Sequence, residues 1–263
     1  LGSDLFLYCR GEGTLLGGEE EYILSPKLDD LECAYGCLSG FLAAKESGNI
    51  AVCCIFDNEE VGQLMAENVI SQIPANGKIA ALYGSPADYN VVLVEKGIKK
   101  VLADTNVELV YENYADNWKA EYAYDQMNEC IDTVGKVDAV ICGNDGLAAM
   151  AFKSLSEHRM ADDVCLVGQD ADIDACQRIV EGNQYMTVYK SIDQLAKQSA
   201  QYAVMLAEDT DLDLTETFND GTYNVPYLKL EPVAVTRENM DKEIISSRFH
   251  LKNEVYLNVD TEE

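Results

Sequence analysis

The sequence predicts an α/β fold in which a parallel β-sheet is covered by helices on both faces. Short apolar runs alternate with amphipathic stretches from residue 49 onward. Proline, which interrupts helices and strands, occurs only five times in 263 residues. Alternation of this kind places successive strands side by side and parallel, because each helix crosses back over the sheet.

The elements follow one another in a regular order. Apolar runs typical of buried strands cover residues 49–56, 78–84, 107–112, 137–142, 163–168 and 184–189. Apolar residues at helical spacing cover residues 59–73, 91–103, 119–134, 146–157, 174–181 and 191–208. The acidic, turn-rich residues 209–228 are expected to wrap the surface, and residues 229–239 to form a late strand. The first 48 residues differ, with a polar, turn-rich stretch followed by one amphipathic helix.

The charge of the chain argues against two classes of partner. Its 47 acidic residues outnumber 19 basic ones, which gives a formal net charge of -28. Nucleic acids are bound mainly through their phosphates, so a nucleic-acid partner is not expected. An anionic membrane surface would also repel the chain.

No run reaches the ~18 apolar residues that a spanning helix needs. The chain begins at Leu1 without a basic and apolar leader, so we expect a processed protein or a fragment.

The nine cysteines favour buried thiols over disulfide bonds. Their number is odd, and most of them lie inside apolar runs such as AVCCIF and VICG. Some disulfide pairing remains the alternative. Neither the adjacent Cys53 and Cys54 nor the pair Cys33 and Cys37 has the CxxC spacing of a zinc knuckle.

Polar side chains follow the carboxyl ends of the predicted strands, where open parallel sheets bind their ligands. The candidate binding residues are Asn90, Trp118, Asn144, Asp170 and Lys190. Amide and carboxylate groups pair with hydroxyl groups, and an indole ring can stack on the apolar face of a sugar, so this set suits a polyhydroxylated ligand. The alternative is structural: Asn144 caps a helix, and Asp170 belongs to a turn.

The larger part of the chain carries several distinctive strings: GSPADYN, NWKAEYA, VICGNDGLAAMAFKSL and VCLVGQDADIDACQRIVEGNQYMTVYK. They resemble the xylose-type periplasmic sugar-binding proteins, the type I solute receptors of ABC importers. The resemblance implies that Trp118 stacks on the sugar ring and that four polar residues bond its hydroxyls: Asn90, Asn144, Asp170 and Lys190. It also implies a protein that is not an enzyme, needs no cofactor, binds a xylose-like monosaccharide and delivers it to ABC permease subunits. Such receptors work outside the cytoplasmic membrane.

A second resemblance covers the start of the chain, where SPKLDDL and FDNEEVG are similar to the aspartyl aminopeptidase family of intracellular dinuclear zinc enzymes. It implies a zinc cofactor, with Asp29 and Glu60 as metal ligands and Glu59 as the general base. Zinc sites of this type also need imidazole ligands, and neither His158 nor His250 falls at a matching position. We therefore expect no tight zinc site, and we expect the carboxylates to stabilise the positive ends of helices.

The two resemblances, over residues ~1–62 and ~55–258, meet at FDNEEVG, which predicts a chimera joined there. The join could be natural, an assembly artefact or a designed recombination. Four divisions are expected. Residues 1–54 are an aminopeptidase-like fragment, and residues 55–190 are a receptor second lobe with its hinge. Residues 191–228 are a first-lobe remnant with a surface wrap, and residues 229–263 are a returning strand with the tail. The first lobe of the type I receptor fold would then be incomplete, which predicts millimolar sugar binding or none. A zinc aminopeptidase fragment and a fragment without function are the competing hypotheses.

Overall fold

The computed structural model describes residues 58–208, 210, 214, 216–219, 224–227 and 230–259, together with two short strands near the start of the chain. The chain separates into two units, residues 55–191 with 229–263 and residues 1–54 with 192–228. The strand predicted at 49–56 lies outside the described residues.

The elements are numbered here in chain order. The strands are β1 (Thr14–Leu16), β2 (Tyr22–Leu24), β3 (Lys78–Tyr83), β4 (Glu108–Tyr114), β5 (Ala139–Cys142), β6 (Cys165–Gln169), β7 (Met186–Tyr189), β8 (Glu216–Asn219), β9 (Asn224–Tyr227) and β10 (Val233–Thr236). The helices are α1 (Asn58–Gln72), α2 (Tyr89–Leu102), α3 (Ala120–Thr133), α4 (Asp145–Glu157), α5 (Ile173–Glu181), α6 (Ile192–Ala207) and α7 (Lys252–Val255). Two 3-10 turns, Asp116–Trp118 and Ala161–Asp163, and a π-helical turn, Asp241–Ile245, complete the described structure.

The larger unit is built on a six-stranded sheet with the strand order β10-β7-β6-β5-β3-β4. The strands from β4 to β7 pair in parallel along this order. The predicted parallel sheet is therefore confirmed. The late strand is β10, which pairs antiparallel with β7 and closes one edge of the sheet.

Helices cover both faces of this sheet, as the alternation predicted. On β3, Ile79 and Ala81 pack into a core with α1 and α2, while Ala80 and Leu82 pack into a core with α3 and α4. This period of two is what a strand buried on both faces requires. A third core joins α5 to β7, β10 and the C-terminal segment.

The thiols of the larger unit agree with the prediction of reduced cysteines. Cys130, Cys142, Cys165 and Cys176 are free, and all except Cys165 are buried. Burial raises the pKa of the Cys130 thiol to about 11, so it stays protonated at neutral pH.

The smaller unit contains two antiparallel hairpins, β1 with β2 and β8 with β9, and the helix α6. The segment predicted to wrap the surface, residues 209–228, thus contains the β8–β9 hairpin. In the described part of the chain, no helix combines the length and the apolar character that crossing a membrane requires. The proposed divisions of the chain at residues 54, 190 and 228 stay predictions.

Candidate functional site

The only tryptophan of the chain lies across the carboxyl ends of two central strands. Gly84 follows β3 and Gly143 follows β5. A Cβ atom on Gly84 would lie 2.2 Å from Cη2 of Trp118, and one on Gly143 would lie 3.3 Å from its Cζ3. The ring can approach the sheet only because Gly84 has no side chain, and Trp118 remains partly exposed.

An aspartate holds this ring in place. The indole Nε1–H of Trp118 donates to Oδ2 of Asp88 at 3.1 Å. Asp88 Oδ1 accepts from the backbone N–H of Asn90 at 2.9 Å and so caps the start of α2. Asn117 and Trp118 have φ values of 52° and 58°, a left-handed backbone that non-glycine residues adopt only when their surroundings hold them. One carboxylate therefore fixes both the helix start and the ring.

The two predicted asparagines each use their side-chain oxygen in the fold. Asn90 Oδ1 accepts from the amide of Asn58 at 2.9 Å. Asn144 Oδ1 accepts from the backbone N–H of Leu147 at 2.8 Å and caps α4, as the structural alternative predicted. A cap uses only the oxygen, so the NH₂ group of Asn144 keeps its two donors. Capping and ligand binding are thus compatible for this residue.

Asp170 and Lys190 form a direct pair at the ends of neighbouring strands. Asp170 follows β6, Lys190 follows β7, and their charged groups lie 3.4 Å apart. The Asp170 side chain is 41% exposed and that of Lys190 is 23% exposed, so both retain access to solvent. A carboxylate beside an ammonium group offers an acceptor and a donor at one place.

All five predicted residues therefore lie where the parallel strands have their carboxyl ends. This end of the sheet is called the carboxyl edge. Asn90 is joined to Trp118 through a shared aspartate, and Asp170 is joined directly to Lys190. Asn144 follows the end of β5 between these two groups. That these side chains bind a ligand stays a prediction.

Sequence reasoning missed three residues of this edge. Asp88 stands directly before the first residue of α2, a position at which an N-cap signal could have been recognised. Gln169 donates its side-chain amide to the carbonyl oxygen of Gly143 and ties the end of β6 to the end of β5. Asp145 is 1% exposed, and no local pattern marks a carboxylate for burial. Its burial raises its pKa to about 7, against the effect of the hydrogen bonds that it accepts.

The structure describes two of the three residues implied by the aminopeptidase resemblance, Glu59 and Glu60. Glu59, the implied base, binds Lys96 at 2.6 Å and Lys100 at 3.1 Å. The hydrogen bonds from these lysines hold the pKa of Glu59 below its ordinary value. Glu60 lies beside it on α1, and Asp29 lies outside the described residues. Both histidines of the chain bond backbone carbonyl groups, and no cluster of potential metal ligands occurs among the described residues.

A shallow groove lies at the opposite end of the sheet, where the parallel strands have their amino ends. Its lining includes Asp138, Cys165 and Tyr185, which stand at or before the amino ends of β5, β6 and β7. The lining contains none of the five predicted residues. The groove is therefore distinct from the candidate site.

Comparisons with known proteins agree with both resemblances. The family described as "Periplasmic binding protein domain" matches residues 40–211. The chain is 39% identical over 207 residues to the D-xylose-binding periplasmic protein of Haemophilus influenzae, covering 76% of this chain and 62% of that protein. It is 40% identical over 73 residues to a probable M18 family aminopeptidase 2 of Clostridium novyi, covering 28% of this chain and 17% of that protein. The aminopeptidase likeness is thus partial, as expected for a chimera.

A solved structure shows the same fold. A carbohydrate transporter solute binding protein from Chloroflexus aurantiacus, in complex with D-glucose, superposes with a TM-score of 0.66 and 25% sequence identity. The match covers 78% of this chain and 70% of that one. The chain spans about three fifths of the length of the xylose-binding relative. From the family match, the sequence relatives and the parallel sheet together, we conclude that the chain belongs to the periplasmic binding protein domain family.

Proposed function

We propose that this chain is the carbohydrate-binding module of an ABC-type sugar uptake system and that it binds a xylose-like monosaccharide without transforming it. The observation that carries the proposal is the grouping of one indole ring and four polar side chains at the carboxyl edge of the sheet. The 39% identity to a D-xylose-binding periplasmic protein supports the choice of ligand class.

Each residue has a distinct part in the proposed site. The exposed part of Trp118 stacks on the C–H face of the sugar ring. The NH₂ group of Asn144 donates to a ring hydroxyl, and Asn90 offers its amide in the same way. Asp170 accepts from hydroxyls and Lys190 donates to them, which gives the short, charge-assisted hydrogen bonds that orient a sugar.

The family match also supports a proposal on partners and location. We propose that the sugar-loaded chain docks on the membrane subunits of an ABC permease and that it works outside the cytoplasmic membrane. Receptors of this kind enclose a sugar between two lobes, and this chain spans 62% of its xylose-binding relative. We therefore expect a dissociation constant in the millimolar range.

Isothermal titration with D-xylose, D-glucose and D-ribose tests the proposal. We expect saturable binding of at least one sugar by the wild-type chain, and a loss of about tenfold or more in affinity in Asp170→Asn. Asp104→Asn makes the same substitution at an exposed residue beyond the end of α2 and should leave binding unchanged. Equal affinity in Asp170→Asn and the wild type would overturn the proposed site, and no binding of any sugar would overturn the function.

A further inference from the structure

The loop that carries Asp170 has an unusual backbone. Asp170 and the following residue, Ala171, have φ values of 102° and 57°, both in the left-handed region that side chains disfavour. Two such residues in succession are costly and persist only where neighbouring groups hold them. The neighbours of this loop therefore decide where the Asp170 carboxylate points.

The backbone N–H groups of the loop are all bonded to β7 or to one buried carboxylate. Asp170 N–H donates to the carbonyl of Val188 at 2.9 Å, and Ala171 N–H donates to Oγ1 of Thr187 at 3.1 Å. Asp172 N–H donates to Oδ2 of Asp145 at 3.1 Å, and the Thr187 hydroxyl donates to the same oxygen at 2.7 Å. Two of the three N–H groups thus depend, directly or through one hydroxyl, on Asp145.

The surroundings of Asp145 require an acceptor on both of its oxygens. Gln184 Nε2 donates to Oδ1 at 3.0 Å. The orientation of that amide is fixed, because Gln184 Oε1 accepts from Nε of Arg178 at 3.0 Å. The Thr187 hydroxyl donates to Oδ2 while its oxygen accepts from the N–H of Ala171. Three donors therefore converge on one carboxylate that is 1% exposed.

A further contact holds the loop from the other side. Nε2 of His250 donates to the carbonyl oxygen of Ala171 at 2.7 Å, with His250 in the C-terminal segment of the larger unit. Both the N–H and the C=O of Ala171 are therefore fixed. The loop is therefore held by several contacts at once, which a strained backbone requires in order to persist.

We infer that Asp145 is a positioning residue for the sugar site: it holds the loop of residues 170–172 in its strained form and so keeps Asp170 beside Lys190. Asp145 is buried beneath the loop and does not itself need to touch the ligand. The ligand part of this inference rests on the proposed function, while the structural part does not.

The test uses variants that keep the size of the buried group and remove its hydrogen bonding. Asp145→Asn replaces one acceptor oxygen by an NH₂ group, which would then face a group that now donates to the carboxylate. Thr187→Val keeps the shape of the side chain and removes the hydroxyl between Ala171 and Asp145. Thr187→Ser is the conservative variant that retains this hydroxyl, and Asp162→Asn is the matched change at an exposed residue of the opposite edge.

The first readout is hydrogen exchange of the Ala171 and Asp172 amides without ligand. We expect their protection to fall about tenfold or more in Asp145→Asn and Thr187→Val and to stay within about twofold of wild type in Thr187→Ser and Asp162→Asn. If Asp145→Asn fails to fold, the Asp172 amide in Thr187→Val decides, because this amide keeps Asp145 as its own acceptor while the hydroxyl that donates to the same oxygen is gone. Unchanged protection of both amides in Asp145→Asn, or of the Asp172 amide in Thr187→Val, would overturn the inference.

The second readout is the affinity for D-xylose. We expect about a tenfold or greater rise in the dissociation constant in Asp145→Asn and Thr187→Val, with near-wild-type values in the two control variants. Loss of protection without any change in affinity would overturn the role of Asp145 in the site. If the wild-type chain binds no sugar but the exchange pattern is as expected, the proposed function fails and the assignment of Asp145 as the anchor of the loop stands.

Discussion

Replacing Gly84 by alanine tests whether the sheet edge positions the indole ring. The new Cβ would lie 2.2 Å from Cη2 of Trp118, whereas carbon atoms in contact prefer about 3.5–4.0 Å. The ring must therefore move by about 1.5 Å. Its hydrogen bond to Asp88, now 3.1 Å long, would exceed the usual length and be lost.

The cost of this change can be worked from its parts. Overpacking costs about 1–3 kcal/mol, and losing a hydrogen bond to a charged group costs about 1.5 kcal/mol or more. Alanine lowers the entropy of the unfolded chain, which returns about 0.4–1 kcal/mol. We therefore expect Gly84→Ala to lower the free energy of unfolding by about 1.5–4 kcal/mol.

Urea unfolding followed by tryptophan fluorescence measures the effect, because Trp118 is the only tryptophan in the chain. The folded-state emission should also shift to longer wavelength as the ring leaves the sheet. Gly146→Ala is the control, since its Cβ would lie 3.5 Å from the nearest atom and alanine favours the helix by up to about 1 kcal/mol. Wild-type stability and emission in Gly84→Ala would refute the argument.

Three further predictions concern pH, capping and metal. The pKa of Asp145 is raised to about 7 in the folded state, so that state holds the proton more tightly than the unfolded chain. As the pH rises from 5 to 8, the free energy of unfolding should then fall by about 2–3 kcal/mol more in the wild type than in Asp145→Asn. Urea denaturation at each pH measures this, and the same pH dependence in both proteins would contradict it. Asn144→Ser should keep the helix cap and the stability but weaken sugar binding, whereas Asn144→Ala should also lose about 1 kcal/mol in urea unfolding; intact binding in the serine variant would show that the amide makes no ligand contact. Elemental analysis after dialysis should find no stoichiometric zinc, because sites of this type need imidazole ligands and both histidines bond backbone carbonyl groups; zinc retained by the wild type and lost in Glu60→Ala would revive the peptidase hypothesis.

Much of the fold could be predicted because the sheet is buried on both faces. Apolar runs then mark whole strands, and the run at 137–142 contains β5. The helix predicted at 91–103 begins two residues earlier, at Tyr89, because the Asp88 cap extends it. The antiparallel direction of β10 was not predicted, since it depends on pairing with β7 and not on any local pattern.

The site was predictable from the residues that come after strand ends. Asp170 and Lys190 directly follow β6 and β7, and Asn144 is the second residue after β5, so topology alone places them at one edge. The role of Asp145 could not be predicted in the same way. Its hydrogen-bond partners Gln184 and Thr187 lie about 40 residues further along the chain and meet it only in the folded sheet.

The most direct test of the central claim, that a monosaccharide binds at the carboxyl edge of this sheet, is the nuclear magnetic resonance signal of the Trp118 indole N–H. This chain has one tryptophan and therefore one such resonance. Titration with D-xylose should move it saturably, with a dissociation constant on the order of millimolar, and the movement should be lost or far from saturation in Asp170→Asn. A Trp118 resonance that stays in place up to about 100 mM xylose, or that moves identically in Asp170→Asn, would contradict the account.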